Sequence, residues 1–216
     1  WMGWIKKRWH LEPEEERLLL AMSSATIDRR LAPYKKRLSR KIYGGARPGR
    51  WLRQTIPIQT ESWNVPEPGW LESDTVSHSG SFAAGLFAYT LNHVDLFSGW
   101  VEMRAMLGKG SPAVIEACED LKREMPFDQL GMDTDCGEEF INYEMDRWCR
   151  AQGIKRFRSR PYKKNDQAHS EQKNGTHVRR LIGWDRYDTS KAVEAMNALY
   201  RKEWRFLTNL FLPSVK

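Results

Sequence analysis

The sequence predicts an α/β fold in which helices flank a mixed sheet, preceded by a small helical unit and a basic linker. From Trp70 onward, three strand-like segments are followed by helices that alternate with short strands. Hydrophobic residues make up 40% of the 216 residues, which is enough to form a core. The net charge of +7 lies entirely before Trp70. We therefore predict three segments, residues 1–38, 39–69 and 70–216.

The first segment, residues 1–38, reads as two short helices joined by a tight turn. In "LEPEEERLLLAM" (11–22) acidic residues precede leucines, as in the first turns of a helix, and "SSATIDRRLAPYKKRL" (23–38) follows. Pro33 is expected to bend or end the second helix. This pattern predicts a helix-turn-helix, although any small helical hairpin would look similar. Its candidate DNA-contacting residues are Arg29, Arg30, Lys35, Lys36 and Arg37.

The second segment, residues 39–69, is rich in Gly, Pro and basic residues and predicts a linker. Residues 29–53 contain ten Lys and Arg and no Asp or Glu. Such a run favours an anionic polymer as the partner, with the linker extended along a phosphate backbone. The alternative is a simple tether between two folded parts.

The third segment, residues 70–216, alternates between strand-like and helix-like patterns. We predict strands at 70–79, 85–95, 100–107, 127–135 and 154–159, and helices at 111–125, 138–153, 168–183 and 189–207. Ser111 is the predicted N-cap of the first of these helices, and Gly153 the predicted end of the second. The loop "RPYKKNDQ" (160–167) precedes the third helix.

Cysteine usage and hydropathy point to the interior of a cell. The three cysteines, Cys118, Cys136 and Cys149, form no CxxC pair, and we expect free thiols in a reducing compartment. The sequence contains no signal peptide and no apolar run of membrane length, so no membrane partner is expected. Because the chain begins with Trp1 and stops at "FLPSVK", we expect a fragment of a longer protein with a truncated C-terminus.

Three carboxylates lie in the middle of a predicted strand, at the end of another and near the start of a predicted helix. Asp74 lies in the middle of an apolar strand, where an unpaired charge is costly. Asp135 ends a strand within "DTDCGEEF" (133–140), and 35 residues separate it from Glu171 near the start of a helix. Hard divalent cations require several such oxygen ligands. A calcium-binding EF-hand is excluded because Glu138 occupies the position that needs glycine.

With these residues and their spacing, the chain resembles the DDE transposases and retroviral integrases, most closely the bacterial insertion-sequence transposases. The resemblance rests on "DTVSHSG" (74–80), "DTDCGEEFIN" (133–142) and "RSRPYKKNDQAHSEQKNGTHVRRLIGWDRY" (158–187). It runs from about Ser23 to the C-terminus. It implies a ribonuclease-H-like integrase core, with Asp74, Asp135 and Glu171 as both the catalytic triad and the metal ligands. Asp133 is the second choice for the ligand that we assign to Asp135.

The same resemblance implies a metal-dependent transposase that cleaves DNA at the element ends and joins strands. Two Mg²⁺ ions are implied, with Mn²⁺ able to substitute: Asp74 would bridge both, Asp135 would hold one and Glu171 the other. The implied partner is double-stranded DNA, both element ends and target, bound by a homo-oligomer. The implied location is the cytoplasm of a bacterium, at the nucleoid. The alternatives are a catalytically silent remnant that only binds DNA, and a ribonuclease-H-like nuclease without transposition.

The surroundings of Glu171 carry further predictions. Basic residues near it in sequence are candidate contacts to DNA phosphates: Lys163, Lys164, Lys173, Arg179 and Arg180. Their alternative is a solvated basic face. Asn174 lies one turn after Glu171 and could orient DNA or a ligand. Gly175 departs from the family, in which this helix position carries a bulky aromatic residue, and glycine weakens a helix by roughly 1 kcal/mol relative to alanine.

Overall fold

The structure is a computed structural model that describes residues 12–38, 48–59, 65–160 and 167–212. The chain divides into two compact units, Trp1–Gly45 and Ala46–Lys216. No helix within the described ranges is long and apolar enough to cross a membrane.

The first unit contains two helices, α1 (Pro13–Ala21) and α2 (Ser24–Leu38). At the start of α1 the Glu12 backbone N–H donates to the Glu15 carboxylate (3.1 Å), which is half of a capping box. At the start of α2 the Ser23 hydroxyl accepts the N–H of Thr26 (3.3 Å). Pro33 lies inside α2, so the helix does not end at this residue, and a bend there stays a prediction. The helix-turn-helix interpretation stays a prediction.

The second unit contains a five-stranded mixed sheet and its covering helices, as predicted. Its elements are α3 (Pro48–Thr55), β1 (Trp70–His78), β2 (Ala88–Asp95), β3 (Val101–Leu107), α4 (Ser111–Glu124), β4 (Gly131–Thr134), α5 (Tyr143–Ala151), β5 (Lys155–Arg158), α6 (Ala168–Lys173), a π-helical stretch (Asn174–Arg179), α7 (Arg180–Ile182), α8 (Ser190–Arg201) and α9 (Glu203–Phe206), which continues into a second π-helical stretch (Leu207–Phe211). The strand order is β3-β2-β1-β4-β5. The first three strands are antiparallel, and β4 and β5 are parallel to β1.

Each face of the sheet has its own hydrophobic core, because successive side chains of a strand point to opposite faces. On one face, Leu91 and Met132 pack against α4 and α5. On the other, Val76 and Met103 pack against Val178 of the first π-helical stretch and against α8. The helix that carries Glu171 therefore covers the same face as the even-numbered residues of β1, Asp74 among them.

The edge strand β3 is covered by two asparagine side chains. Asn197 of α8 accepts the N–H of Ala105 and donates to its carbonyl (2.7 and 2.9 Å). Asn209 makes the same pair of bonds with Val101 (2.7 and 2.8 Å). The two amides thus take the place of a neighbouring strand, which protects this edge from pairing with another chain.

The largest departure from the prediction is α3, which lies inside the predicted linker. Leu52 and Ile56 are buried and pack against Ile141, so this part of the chain belongs to the folded second unit. Its sequence, "PGRWLRQT", looks like a turn because it opens with Pro and Gly, but Pro is well tolerated in the first turn of a helix.

Helix boundaries account for the other differences. Gly110, not Ser111, is the N-cap of α4. Helix α5 begins at Tyr143 instead of residue 138, because the side chain of Asn142 accepts the N–H of Met145 (2.8 Å) and starts the helix there. The last predicted helix, 189–207, is interrupted at Lys202. The three cysteines are free, as predicted, with Cys118 and Cys149 buried.

Candidate active site

Two of the three predicted carboxylates are brought together by the pairing of β1 with β4. The strands are parallel, with Ser73 opposite Thr134, so the next residues, Asp74 and Asp135, lie side by side. Ligand sites in open α/β sheets form at this carboxyl end of the strands. Asp74 is partly buried within β1, and Asp135 is the first residue after β4.

A tight turn after β4 shapes the Asp135 side of the site. The Asp135 carboxylate accepts the N–H of Gly137 (2.8 Å). A Cβ atom at Gly137 would lie 2.6 Å from the Glu139 carboxylate and 2.8 Å from that of Asp135, well inside contact distance. A side chain at this position would therefore force one of the two carboxylates to move. Glu139, 7% exposed, is a third acidic group of the site.

Two basic residues partly balance this acidic cluster. Lys109 donates to Glu139 (2.9 Å), which also accepts the hydroxyl of Thr75 (3.3 Å). Arg53 of α3 donates to the carbonyl of Cys136 (2.8 Å) and so braces the turn that carries Asp135. The predicted linker therefore contributes a residue to the site.

The pKa values of Asp74 and Asp135 are both raised by burial and by neighbouring negative charges. Burial raises the pKa of Asp74 to about 6, and the negative charges of Asp135 and Glu139 add to the effect, while hydrogen bonds from Thr75 and Asn174 oppose it. Burial and the charge of Glu139 also raise the pKa of Asp135, against the hydrogen bond from Gly137 and the charges of Lys109 and Arg53. Crowded oxygen ligands of this kind fit a divalent cation, which would relieve their repulsion.

Asn174 fixes the orientation of Asp74. Its amide nitrogen donates to the Asp74 carboxylate (2.7 Å), and its oxygen accepts from the amide of Asn92 (2.9 Å), which lies opposite Asp74 in β2. The second oxygen of Asp74 accepts the N–H of Thr75 (2.7 Å). Because the Asn92 bond sets which way the Asn174 amide points, Asn174 presents a donor to Asp74.

Glu72 holds the start of the helix that carries Glu171. Its carboxylate, 1% exposed, accepts the N–H of Ser170 (2.9 Å) in the first turn of α6. Burial raises the pKa of Glu72 to about 7, and the bond from Ser170 opposes the shift. A carboxylate at a helix N-terminus satisfies a backbone donor that the helix itself cannot.

Glu171, the third predicted ligand, is exposed on α6. In the described ranges, no three His, Cys, Asp or Glu side chains are grouped closely enough to hold a metal ion. The proximity of Asp74 to Asp135 is therefore visible, and the position of Glu171 in the triad stays a prediction. Asp133, our second choice, is fully buried in β4 opposite Glu72, whereas Asp135 is only partly buried.

The predicted DNA-contacting residues fall into different environments. Arg29, Arg30 and Arg180 are exposed, Arg179 is partly buried, and Lys173 is buried at 7% exposure, where burial lowers its pKa. A contact between Lys173 and DNA would require that its side chain become exposed. Lys163 and Lys164 lie outside the described residues, as do the side chains of Lys35, Lys36 and Arg37.

Sequence reasoning missed four residues of this site: Glu72, Lys109, Arg53 and Glu139. Glu139 lies within the acidic motif and could have been identified from its place two residues after Gly137. Glu72 lies two residues before Asp74 and therefore on the same face of β1, which is a usable signal. Nothing in the local sequence marks Lys109 or Arg53, because both reach the site from other elements.

Comparison with known proteins agrees with this fold. Residues 66–164 match the sequence model of the integrase core domain family, and this segment spans β1 through β5 with both aspartates. In sequence, residues 66–164 are therefore similar to an integrase core domain. Together with the strand order and the covering helices, the match confirms the predicted ribonuclease-H-like fold.

The fold also resembles solved retroviral structures. The catalytic core domain of BIV integrase matches at a TM-score of 0.50 and 16% identity, over 68% of this chain and 87% of that one. The HTLV-2 integrase catalytic core domain in complex with magnesium matches at 0.50 and 17% identity, over 68% and 90%. A chain of the simian T-cell lymphotropic virus intasome, solved in complex with PP2A regulatory subunit B56 gamma, matches at 0.55 and 15% identity, over 74% and 55%.

One sequence relative extends over nearly the whole chain. The uncharacterized protein y4rM of Sinorhizobium fredii is 38% identical over 212 residues, which is 97% of this chain. The chain spans 60% of the length of y4rM and 55% of the length of the matched intasome chain.

Proposed function

We propose that the chain is the transposase of a bacterial insertion element, or a part of one, and that it cleaves DNA phosphodiesters and joins strands. The observation that carries the proposal is the juxtaposition of Asp74, in the middle of β1, and Asp135, directly after the end of the neighbouring parallel strand β4, in a segment similar to an integrase core. Their raised pKa values support it, because such carboxylates gain most from a bound cation.

In this proposal Asp74, Asp135 and Glu171 hold two divalent cations, Mg²⁺ or Mn²⁺. The bound metal would activate the attacking water or 3′-hydroxyl and stabilise the leaving oxygen. Asn174 keeps the Asp74 carboxylate in one orientation. Lys109 neutralises Glu139, so Asp74 and Asp135 are the carboxylates on this side of the site that are proposed to bind the metal. Glu72 fixes the first turn of α6, and Glu171 follows Ser170 directly.

The partners follow from the same proposal. Double-stranded DNA would be bound at the element ends and at the target, through exposed basic residues that include Arg29, Arg30 and Arg180. A homo-oligomer on DNA is proposed, since the related viral structures include an intasome and a dimeric integrase core.

The decisive test is Asp135→Asn, assayed by metal-dependent nicking of labelled element-end DNA. The amide keeps the shape of the side chain but removes the charge that holds a cation, so we expect cleavage to fall on the order of a thousandfold or more. Binding to end DNA should stay nearly unchanged. The matched comparison is Asp133→Asn: if that variant loses cleavage and Asp135→Asn keeps it, the ligand is Asp133.

A catalytically silent DNA-binding protein is the second candidate. It is favoured by the exposure of Glu171 and by the absence of a three-ligand group in the described part of the chain. The wild-type chain decides between the two. The transposase is supported if the wild-type chain nicks DNA in Mg²⁺ or Mn²⁺ and Glu171→Gln abolishes this nicking. The silent protein is supported if the chain binds end DNA but nicks it in neither metal, and if a chain extended to the length of y4rM behaves in the same way.

A further inference from the structure

A cleft of about 610 Å³ opens beside Asp74, between β1 and the helix that covers it. Its walls are residues 75–77 of β1 on one side and Asn174, Gly175, Arg179, Arg180 and Trp184 on the other. Two of these wall residues, Thr75 and Asn174, are hydrogen-bonded to the Asp74 carboxylate. The volume lies in the range of sites that bind small ligands, roughly 300–1,000 Å³. Whatever occupies this cleft therefore lies next to the proposed catalytic centre.

Trp184 presents an aromatic face at the mouth of the cleft. Gly183, at φ +80°, ends α7 in a conformation that few other residues adopt, and the chain turns there into Trp184. The guanidinium of Arg179 lies 4.2 Å from the centre of the indole ring and donates to the carbonyl of Gly183 (3.4 Å). Trp184 is nevertheless 74% exposed. The ring surface that Arg179 does not cover is therefore largely open to solvent.

Gly175 keeps the wall of the cleft open. A Cβ atom at this position would meet no atom within 4 Å, and its backbone is helical. The π-helical stretch Asn174–Arg179 begins one residue earlier, and such stretches are frequent at functional sites. A large side chain at position 175 would project into this space, so its openness depends on glycine or another small residue.

The combination of groups selects the ligand. An aromatic face stacks on any nucleobase, and arginines bind phosphate. A base inside a duplex is covered on both faces by its neighbours, so only an unpaired base or the terminal base pair of a blunt end can lie against Trp184. The exposed charge of Arg180 complements a phosphate of the same strand.

We propose that this cleft binds an unpaired nucleotide of the DNA strand, with its base stacked on the open face of Trp184 and its phosphate held by Arg180. The inference rests on the proposed function, because it places this nucleotide next to the position of strand cleavage. It adds recognition of frayed or single-stranded DNA at the end of the element.

The test compares two DNAs at one fixed salt concentration in the presence of a chelator, so that cleavage plays no part. One is a blunt duplex and the other carries a short unpaired extension; binding of the full chain is followed by fluorescence anisotropy. Trp184→Ala should weaken binding of the extended DNA by about fivefold or more and leave the blunt duplex unchanged. Trp184→Phe should restore most of the loss.

Two further variants make the result specific. Gly175→Leu should fill the cleft and give the same selective loss, whereas Gly175→Ala should not. Phe211→Ala is the matched control, since Phe211 is 73% exposed in the second π-helical stretch. The proposal is overturned if Trp184→Ala weakens binding of both DNAs equally or of neither. If the wild-type chain fails to nick DNA but the selective loss is found, the cleft stands and the transposase proposal falls.

Discussion

At the scale of single residues, the site depends on close contacts between acidic side chains and their neighbours. Asp74 is held by two hydrogen bonds, from Thr75 and Asn174. Asp135 and Glu139 approach each other across Gly137, where a side chain would collide with both. The position of the carboxylates is therefore decided by the absence of one methyl group as much as by the charged residues themselves.

We expect Gly137→Ala to impair catalysis more than folding. The new methyl group forces the Asp135 or Glu139 carboxylate to move, and a displacement of about 1 Å at a reacting centre can reduce a rate on the order of a hundredfold. Nicking rates and urea unfolding measure the two effects. Glu138→Gln is the control, because Glu138 is an exposed residue of the same turn. A Gly137→Ala variant with wild-type nicking would show that the turn tolerates a side chain.

At the scale of elements, α3 shows that part of the predicted linker belongs to the folded second unit. Leu52 is fully buried against Ile56 and Ile141, and Arg53, the next residue, contacts the turn after Asp135. The same short helix thus contributes both to the core and to the proposed active site.

We expect Leu52→Ala to lower the free energy of unfolding of the second unit by about 2–5 kcal/mol, the usual cost of truncating a buried leucine. Gln54→Ala, at an exposed position of the same helix, should change it by less than about 0.5 kcal/mol. The measurement is urea denaturation followed by circular dichroism. Equal effects of the two variants would mean that α3 adds nothing to the stability of the core.

At the scale of the whole molecule, charge is separated along the chain. The excess of positive charge lies before Trp70, and the acidic site lies after it. In the proposed function, DNA phosphates require cations, both as metal ions and as basic side chains, and the net excess of basic side chains lies before Trp70.

We expect the double variant Arg29→Gln/Arg30→Gln to flatten the salt dependence of DNA binding. If both residues contact phosphates, the slope of log K against log salt concentration should fall by up to about 1.8, since each phosphate contact contributes about 0.9. Fluorescence anisotropy over a salt series measures the slope. Lys191→Gln/Lys202→Gln, which removes two exposed charges of the second unit, is the matched control. Equal slopes for the two double variants would assign no special role to the N-terminal pair.

Acid should act on the fold through its buried histidines. Burial lowers the pKa of His93 to about 4, from an ordinary value of about 6.5. The unfolded chain then binds a proton below pH 6.5 that the folded chain does not, so this contribution to stability is complete above pH 6.5 and is lost as the pH falls toward 4.

We therefore expect His93→Met, which has no titratable group, to lose less stability than the wild type between pH 6.5 and pH 4. The difference should reach as much as about 3 kcal/mol, at roughly 1.4 kcal/mol per pKa unit. Urea unfolding at a series of pH values measures it, and comparison of the two proteins cancels the opposite contribution of Glu72 and Asp74, whose pKa values are raised. Parallel pH profiles would show that His93 does not titrate on unfolding.

The sequence by itself determined the α/β architecture, the order of strands and helices from Trp70 onward, and the two aspartates. Local patterns encode these features: alternation of apolar and polar residues in strands, helical periodicity, and an acidic turn with Gly137. It misplaced α3, because Pro and Gly near a helix start resemble a turn until burial of the following residues is known. It began α5 too early, at residue 138, because it did not identify Asn142 as the N-cap.

Only the tertiary structure decided which residues accompany the aspartates. Glu72 meets Ser170 across 98 positions of sequence, and Asn174 meets Asp74 across 100. Lys109 and Arg53 reach the same centre from other elements. Such contacts depend on strand register and on how helices cover the sheet, which local propensity does not encode. The cleft at Trp184 has the same origin, because its walls are β1 and the π-helical stretch Asn174–Arg179 with the residues that follow it.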